Sequence, residues 1–174
     1  ETATGTDASD LINGGNYSDI INGGIGHDVL YGNGGSDLLN GGDGNDLILG
    51  GIGNDTLTGG SGADTFMWKA GNLGNDIIKD FKSTEGDRID LSDLLPDAAN
   101  TGDITQYLQV DTLTSTLKIS TTGALNTGGS ADVTIKLEDG SGGNLNLSGL
   151  GSTSTQIVNS LIAGSDPIVK VDHS

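Results

Sequence analysis

The chain has 174 residues, of which 33% are hydrophobic and 3% aromatic, and its formal net charge is -17. So few apolar side chains make a thin core, and so much uncompensated charge drives a chain toward disorder. The sign of the charge excludes nucleic acid, the absence of cysteine excludes disulfides and thiolate zinc sites, and no apolar run approaches membrane-spanning length.

The acids are 21 Asp and only three Glu. Residues 1–68 carry ten of them and no Lys or Arg; Lys69 is the first basic residue. Carboxylates crowded in this way repel each other unless divalent cations lie between them. The opening Glu-Thr-Ala-Thr already sits within the repeat described next, so it reads as cut from something longer, with no basic-plus-apolar leader.

From Gly5 the chain divides into nines: GTDASDLIN, GGNYSDIIN, GGIGHDVLY, GNGGSDLLN, GGDGNDLIL, GGIGNDTLT and GGSGADTFM. Asp10, Asp19, Asp28, Asp37, Asp46, Asp55 and Asp64 hold the sixth position without a slip. Two residues after each comes Ile12, Ile21, Leu30, Leu39, Ile48, Leu57 or Phe66. Glycine permits positive φ and close backbone approach, so the first four positions predict a turn in which carbonyls converge. Positions seven to nine predict a short strand with the eighth side chain inward. Two nines close one coil, and seven give about three and a half coils stacked at about 4.8 Å per strand.

The stacking predicts metal sites between each turn and the turn two repeats away. An all-oxygen cage of carbonyls and aspartates in a flexible loop suits Ca²⁺ over Zn²⁺, Cu²⁺ or Mg²⁺. The pairs 1–3, 3–5, 5–7, 2–4 and 4–6 predict about five internal ions. A flexible linker of the same composition would need neither the fixed Asp register nor the apolar residue in every nine. The seventh position, expected outside, is apolar as well at Leu11, Ile20, Val29, Leu38 and Leu47. Residues after 68 are expected to cover it, and a contact surface is the alternative.

At Trp68 the period stops. The segment 74–81 (GNDIIKDF) and the segment 86–92 (GDRIDLS) alternate as short strands. Asp76 and Asp80 stand where they could reach a calcium at the last turn, or else are solvated strand-end carboxylates. A hairpin is predicted from 107–110 and 116–120, and further strands at 132–137, with Val133, Ile135 and Leu137 on one face, at 144–147 and at 168–171. Thr153 and Gln156 fit a capping box. A helical face of Ile157, Val158, Leu161 and Ile162 follows, with Gly164 as C-cap.

Catalytic arrangements are missing. There is no H-E-x-x-H or G-x-S-x-G. His27 falls in a turn and His173 near the end of the sequence, both without an evident partner. Seven Asp at one spacing make a metal ladder rather than a glycosidase pair, and Thr56, Thr58 and Thr65 are too scattered for an ice-binding array.

The repeat G-G-x-G-x-D-x-U-x, where U is a large apolar residue, resembles the calcium-binding nonapeptide of RTX proteins. The resemblance implies an all-β fold: a right-handed parallel β-roll over 1–67, then a β-rich C-terminal cap with one short helix over 68–174. It also implies that carbonyls of the second and fourth turn residues join the aspartates. These are Gly24 and Gly26, Asn33 and Gly35, Gly42 and Gly44, and Gly51 and Gly53. The order of roll, Asp/Ile-rich connector and β-rich cap is similar to the C-terminal end of large RTX adhesins of Gram-negative bacteria. That likeness implies upstream adhesin domains, secretion to the cell surface, and an uncleaved type I secretion signal within about the last 50 to 60 residues. The expected partners are the ABC transporter, membrane fusion protein and outer-membrane channel of that pathway. The alternative is the non-catalytic calcium-binding module of a secreted enzyme, such as an alginate epimerase, a lipase or a protease.

Overall fold

The computed structural model describes residues 1–95, 104–123, 125, 128–162 and 167–171. Eight strands build the roll: β1 (Thr2–Thr4), β2 (Leu11–Asn13), β3 (Ile20–Ile25), β4 (Val29–Gly34), β5 (Leu38–Asp43), β6 (Leu47–Ile52), β7 (Thr56–Ser61) and β8 (Thr65–Met67). They alternate between two parallel sheets. β1, β3, β5 and β7 stack on one side, and β2, β4, β6 and β8 on the other. The register offset is eighteen residues, as in Leu30↔Ile48 and Leu39↔Leu57, so equivalent positions lie one above another.

The sequence leads to seven half-coils, and the structure has eight. Glu1–Thr4 form the tail of a further repeat, with Glu1 in the aspartate position and Ala3 paired with Ile21. The strands are also longer than the three residues expected. In β3 to β7 the chain bends at the first glycine and pairing resumes across the next two residues, as in Gly24↔Gly42 and Ile25↔Asp43.

The inward column is the core of the roll. Ile21, Leu30, Leu39, Ile48, Leu57 and Phe66 are all buried, while Ile12 at the open end is only partly so. Fully burying one such side chain stabilises by about 1.5–3 kcal/mol. The outward apolar column is covered only in part. Leu11, Ile20 and Leu38 stay exposed, Val29 and Leu47 are partly buried, and the neighbouring Leu49 is buried where Lys69 and Asn72 come close.

Both sheets run on past Met67. β9 (Gly74–Ile78) pairs with β7, and β10 (Arg88–Asp90) pairs with β8, both in parallel. β11 (Leu108–Asp111), β12 (Thr116–Ile119) and β13 (Val133–Leu137) extend the first sheet. β11–β12–β13 is an antiparallel meander, and β13 lies parallel to β9. The single α-helix among the described residues, α1 (Ser154–Ile162), buries Ile157, Val158 and Leu161, and β14 (Val169–Lys170) closes the second sheet beside β10. Phe66 and Phe81 meet with ring centroids 6.3 Å apart, joining the two parts of the core.

The predicted hairpin, the strand at 133–137 and the capped helix are all present. The strand predicted at 144–147 is not; Asn144 forms an isolated bridge with Glu138. Side chains occupy the backbone groups there that a neighbouring strand would need, since the Ser115 hydroxyl donates to the Leu145 carbonyl. Gly164 and His173 lie outside the described residues.

Candidate metal centre

From the third repeat on, each turn is shaped by the second and fourth residues of its nine. Gly24, Gly26, Gly42, Gly44, Gly51 and Gly53 have φ between +109° and +139°. Asn33 takes the second place in its repeat at φ 72°, a region asparagine tolerates better than most residues. The turns stack tightly. A Cβ added to Gly42 would lie 2.0 Å from the Gly24 carbonyl oxygen, and one on Gly51 2.1 Å from that of Asn33. Likewise a Cβ on Gly44 or Gly53 would lie 1.6 Å from the Gly26 or Gly35 carbonyl oxygen. The carbonyls expected as ligands therefore press against the next turn of the same flank. Those of Gly26, Gly35, Gly44 and Gly53 accept no backbone hydrogen bond among the described residues.

The aspartates form a second ladder. One oxygen, Oδ1, accepts the backbone N–H of the aspartate eighteen residues earlier: Asp28 from Asp10, Asp37 from Asp19, Asp46 from Asp28, Asp55 from Asp37 and Asp64 from Asp46, all at 2.8–2.9 Å. The other oxygen divides the repeats into two classes. In the first two repeats it is satisfied within its own turn: Thr6 N–H and hydroxyl donate to Asp10, and Gly15 N–H donates to Asp19. In the other five it is buried without any partner: Asp28, Asp37, Asp46, Asp55 and Asp64. Each of these oxygens lies against the first glycine of its own repeat, where an added Cβ would come within 2.2–2.4 Å of it.

An ionised carboxylate oxygen buried with nothing to bond is costly. Burial raises the carboxyls of Asp37 and Asp46 above the ordinary range. Burial, aided by neighbouring aspartates, lifts Asp55 to about 6 and Asp64 to about 7. Among the described residues no three His, Cys, Asp or Glu side chains converge on one point. A metal bound here must complete its shell with backbone carbonyls, which the stacked turns supply. An oxygen-only donor set of two carboxylates and several carbonyls fits Ca²⁺.

Asp76 and Asp80 both accept hydrogen bonds at the last turns. Asp76 continues the ladder, accepting the Asp55 N–H at 2.8 Å and the Trp68 indole N–H at 2.7 Å. Asp80 accepts from the N–H groups of Gly59 and Gly60. Asp87, which the nine-residue spacing does not mark, ends the other flank by accepting from the N–H groups of Asp64 and Lys82. Its signal was present, since Asp76-Ile77-Ile78 and Asp87-Arg88-Ile89 both keep the aspartate two residues before an inward apolar side chain. His27 is not a free turn residue either: its Nδ1 accepts the Asn45 N–H at 2.7 Å.

The model of the RTX calcium-binding nonapeptide repeat (four copies) matches residues 4–39 and 31–66. The chain carries RTX calcium-binding nonapeptide repeats over residues 4–66. Its RTX repeats bind calcium, and the repeat domain is a non-catalytic module. Among solved structures, the AlgE6R3 subunit of the mannuronan C5-epimerase from Azotobacter vinelandii is 33% identical over 75% of this chain and 72% of its own, with a TM-score of 0.33. No curated protein matches. RTX repeats are typical of secreted proteins, and no helix among the described residues is long and apolar enough to cross a membrane.

Proposed function

We propose that this RTX chain is the calcium-folded terminal module of a large secreted adhesin, and that it carries the adhesin's type I secretion signal. The observation that carries the calcium part is the set of five buried, unpartnered Oδ2 atoms. Their number equals the five turn pairs counted in the sequence, which supports five ions per chain. Where calcium is scarce, those carboxylates and the thin core favour the unfolded chain, which can thread a channel. Millimolar calcium outside supplies the charge that the buried oxygens need, at affinities of about 10⁻⁴ to 10⁻³ M per site. Folding outside then opposes back-sliding.

The adhesin and export parts rest on the order of roll, connector and β-rich cap. Fusing a passenger to the chain and deleting residues after 115 tests them. Export through a type I system should be lost, and unimpaired export would remove the signal from this region. The second reading is a folding or polysaccharide-binding module of a secreted enzyme. It is favoured by the 33% identity to an epimerase repeat subunit. A catalytic domain encoded immediately upstream would decide for it, and tandem β-sandwich repeats would decide against it.

A further inference from the structure

Five of the six lysines have a carboxylate partner: Lys79 and Lys136 with Glu138, Lys82 with Glu85, Lys118 with Asp111 and Lys170 with Asp90. Lys69 has none among the described residues. Its ammonium instead lies 5.5 Å from the centre of the Tyr31 ring. A small turn holds it there, in which Lys69 N–H donates to Asn72 Oδ1 at 2.7 Å and Asn72 N–H donates back to the Lys69 carbonyl at 2.9 Å.

Lys69 closes one end of a trough of about 610 Å³ on the outer face of the second sheet, where β2, β4 and β6 bend into their turns. Tyr31 and Leu49 form its floor, and Asn13, Asn16, Asn33 and Asn72 bring amides to its walls. In a chain with 24 acidic residues, no acid lines it. The side-chain amides of Asn13 and Asn16 bond to nothing among the described residues.

We propose that this trough binds a carboxylate-bearing oligosaccharide. Lys69 pairs with the carboxylate, the asparagine amides bond to hydroxyls as donors and acceptors together, and Tyr31 packs against the C–H face of a sugar ring. The surroundings argue against an acidic peptide. Tyr31 and Leu49 stand on β4 and β6, inside the sheet rather than on its β2 edge, so this part of the trough offers no backbone ladder to an extended chain. The inference rests on the calcium reading. At a net charge of -17 the bare chain repels an anion, and calcium in the turns removes much of that repulsion.

Calorimetric titration of the full chain in calcium tests this, with a mannuronate trisaccharide, maltotriose and hexaglutamate as probes. The trisaccharide acid should bind, with maltotriose and hexaglutamate each about tenfold weaker or more. Lys69→Gln and Tyr31→Ala should each weaken the acid about tenfold, with the calcium midpoint of folding unmoved. Tyr31→Phe keeps the ring should the alanine variant fail to fold, and should bind almost normally. Asn40→Ala, on the opposite sheet, should change nothing. Equal binding of maltotriose, tighter binding of hexaglutamate, or an unaffected Lys69→Gln variant would overturn the assignment. So would no binding by a chain whose circular dichroism shows a folded roll. A chain that calcium does not fold would instead overturn the calcium reading and this inference with it.

Discussion

A single atom, the second oxygen of the repeat aspartate, separates the turns poised for metal from those closed on themselves. Asp37 illustrates both roles, since its Oδ1 accepts from Asp19 while its Oδ2 is buried and unbonded. Asp37→Ala should therefore weaken the two sites that the fourth repeat shares with the second and the sixth and lower the calcium bound per chain, cost about 1 kcal/mol for the lost hydrogen bond in addition, and make the calcium titration less cooperative. Calorimetric stoichiometry checks this. Glycines should differ by position. A Cβ at Gly41 would meet Asp46 Oδ2 at 2.2 Å and the Gly59 carbonyl oxygen at 2.6 Å, whereas one at Gly15 meets nothing closer than 3.8 Å. Gly41→Ala should abolish one site and Gly15→Ala should be tolerated, as read from calcium bound per chain.

The buried carboxyls also fix the sign of the pH response. Asp55 and Asp64 are raised to about 6 and about 7 in the folded chain. A raised carboxyl binds its proton more tightly folded than unfolded, so protonation favours the fold and stability is lost as pH rises through 6 to 7. In chelator, β structure should thus be greater at pH 5 than at pH 8. In calcium, where protons compete for the same oxygens, affinity should fall on acidification below pH 7. Identical chelator spectra at both values would contradict this.

Among the elements, the strands of the roll were readable because one period fixes three things at once: the turn, the inward residue and the carboxylate. α1 was readable from its cap. Gln156 N–H donates to Thr153 Oγ1 and Thr153 N–H donates to Gln156 Oε1, both at 3.2 Å. Thr153→Ala should cost about 1 kcal/mol, measurable by urea unfolding in calcium. What failed to show was long-range pairing. Asp87 ends a ladder whose previous rung, Asp64, stands 23 residues earlier, where the nine-residue register no longer guides the eye. Position five looked variable, yet Ser9, Ser18, His27, Asn45 and Asn54 each accept a backbone N–H from the next turn on their flank. Several residue types meet that need, so composition hid it. Asn144–Leu147 has the alternation of a strand, but only Asn144 bridges, to Glu138, and the Ser115 hydroxyl takes the Leu145 carbonyl.

For the whole molecule, the two sheets share one design from β1 to β14, with carboxylates at its turns and apolar residues inside. At the C-terminal side of the roll, Asp76, Asp80 and Asp87 satisfy the last turns with hydrogen bonds. Trp68 seals that end, so the fluorescence of the only tryptophan reports its formation. At the other end β1 and β2 expose unpaired strand edges. Between the ends, five buried aspartate oxygens stand without a hydrogen-bond partner among the described residues, and the proposed function assigns them to calcium. The most direct measurement is far-ultraviolet circular dichroism of the full chain, titrated with calcium from a chelator-treated start. A disordered spectrum that converts cooperatively to β structure between about 10⁻⁴ and 10⁻³ M calcium is the predicted result. A β spectrum already complete in chelator at neutral pH, and unchanged by calcium, would contradict it.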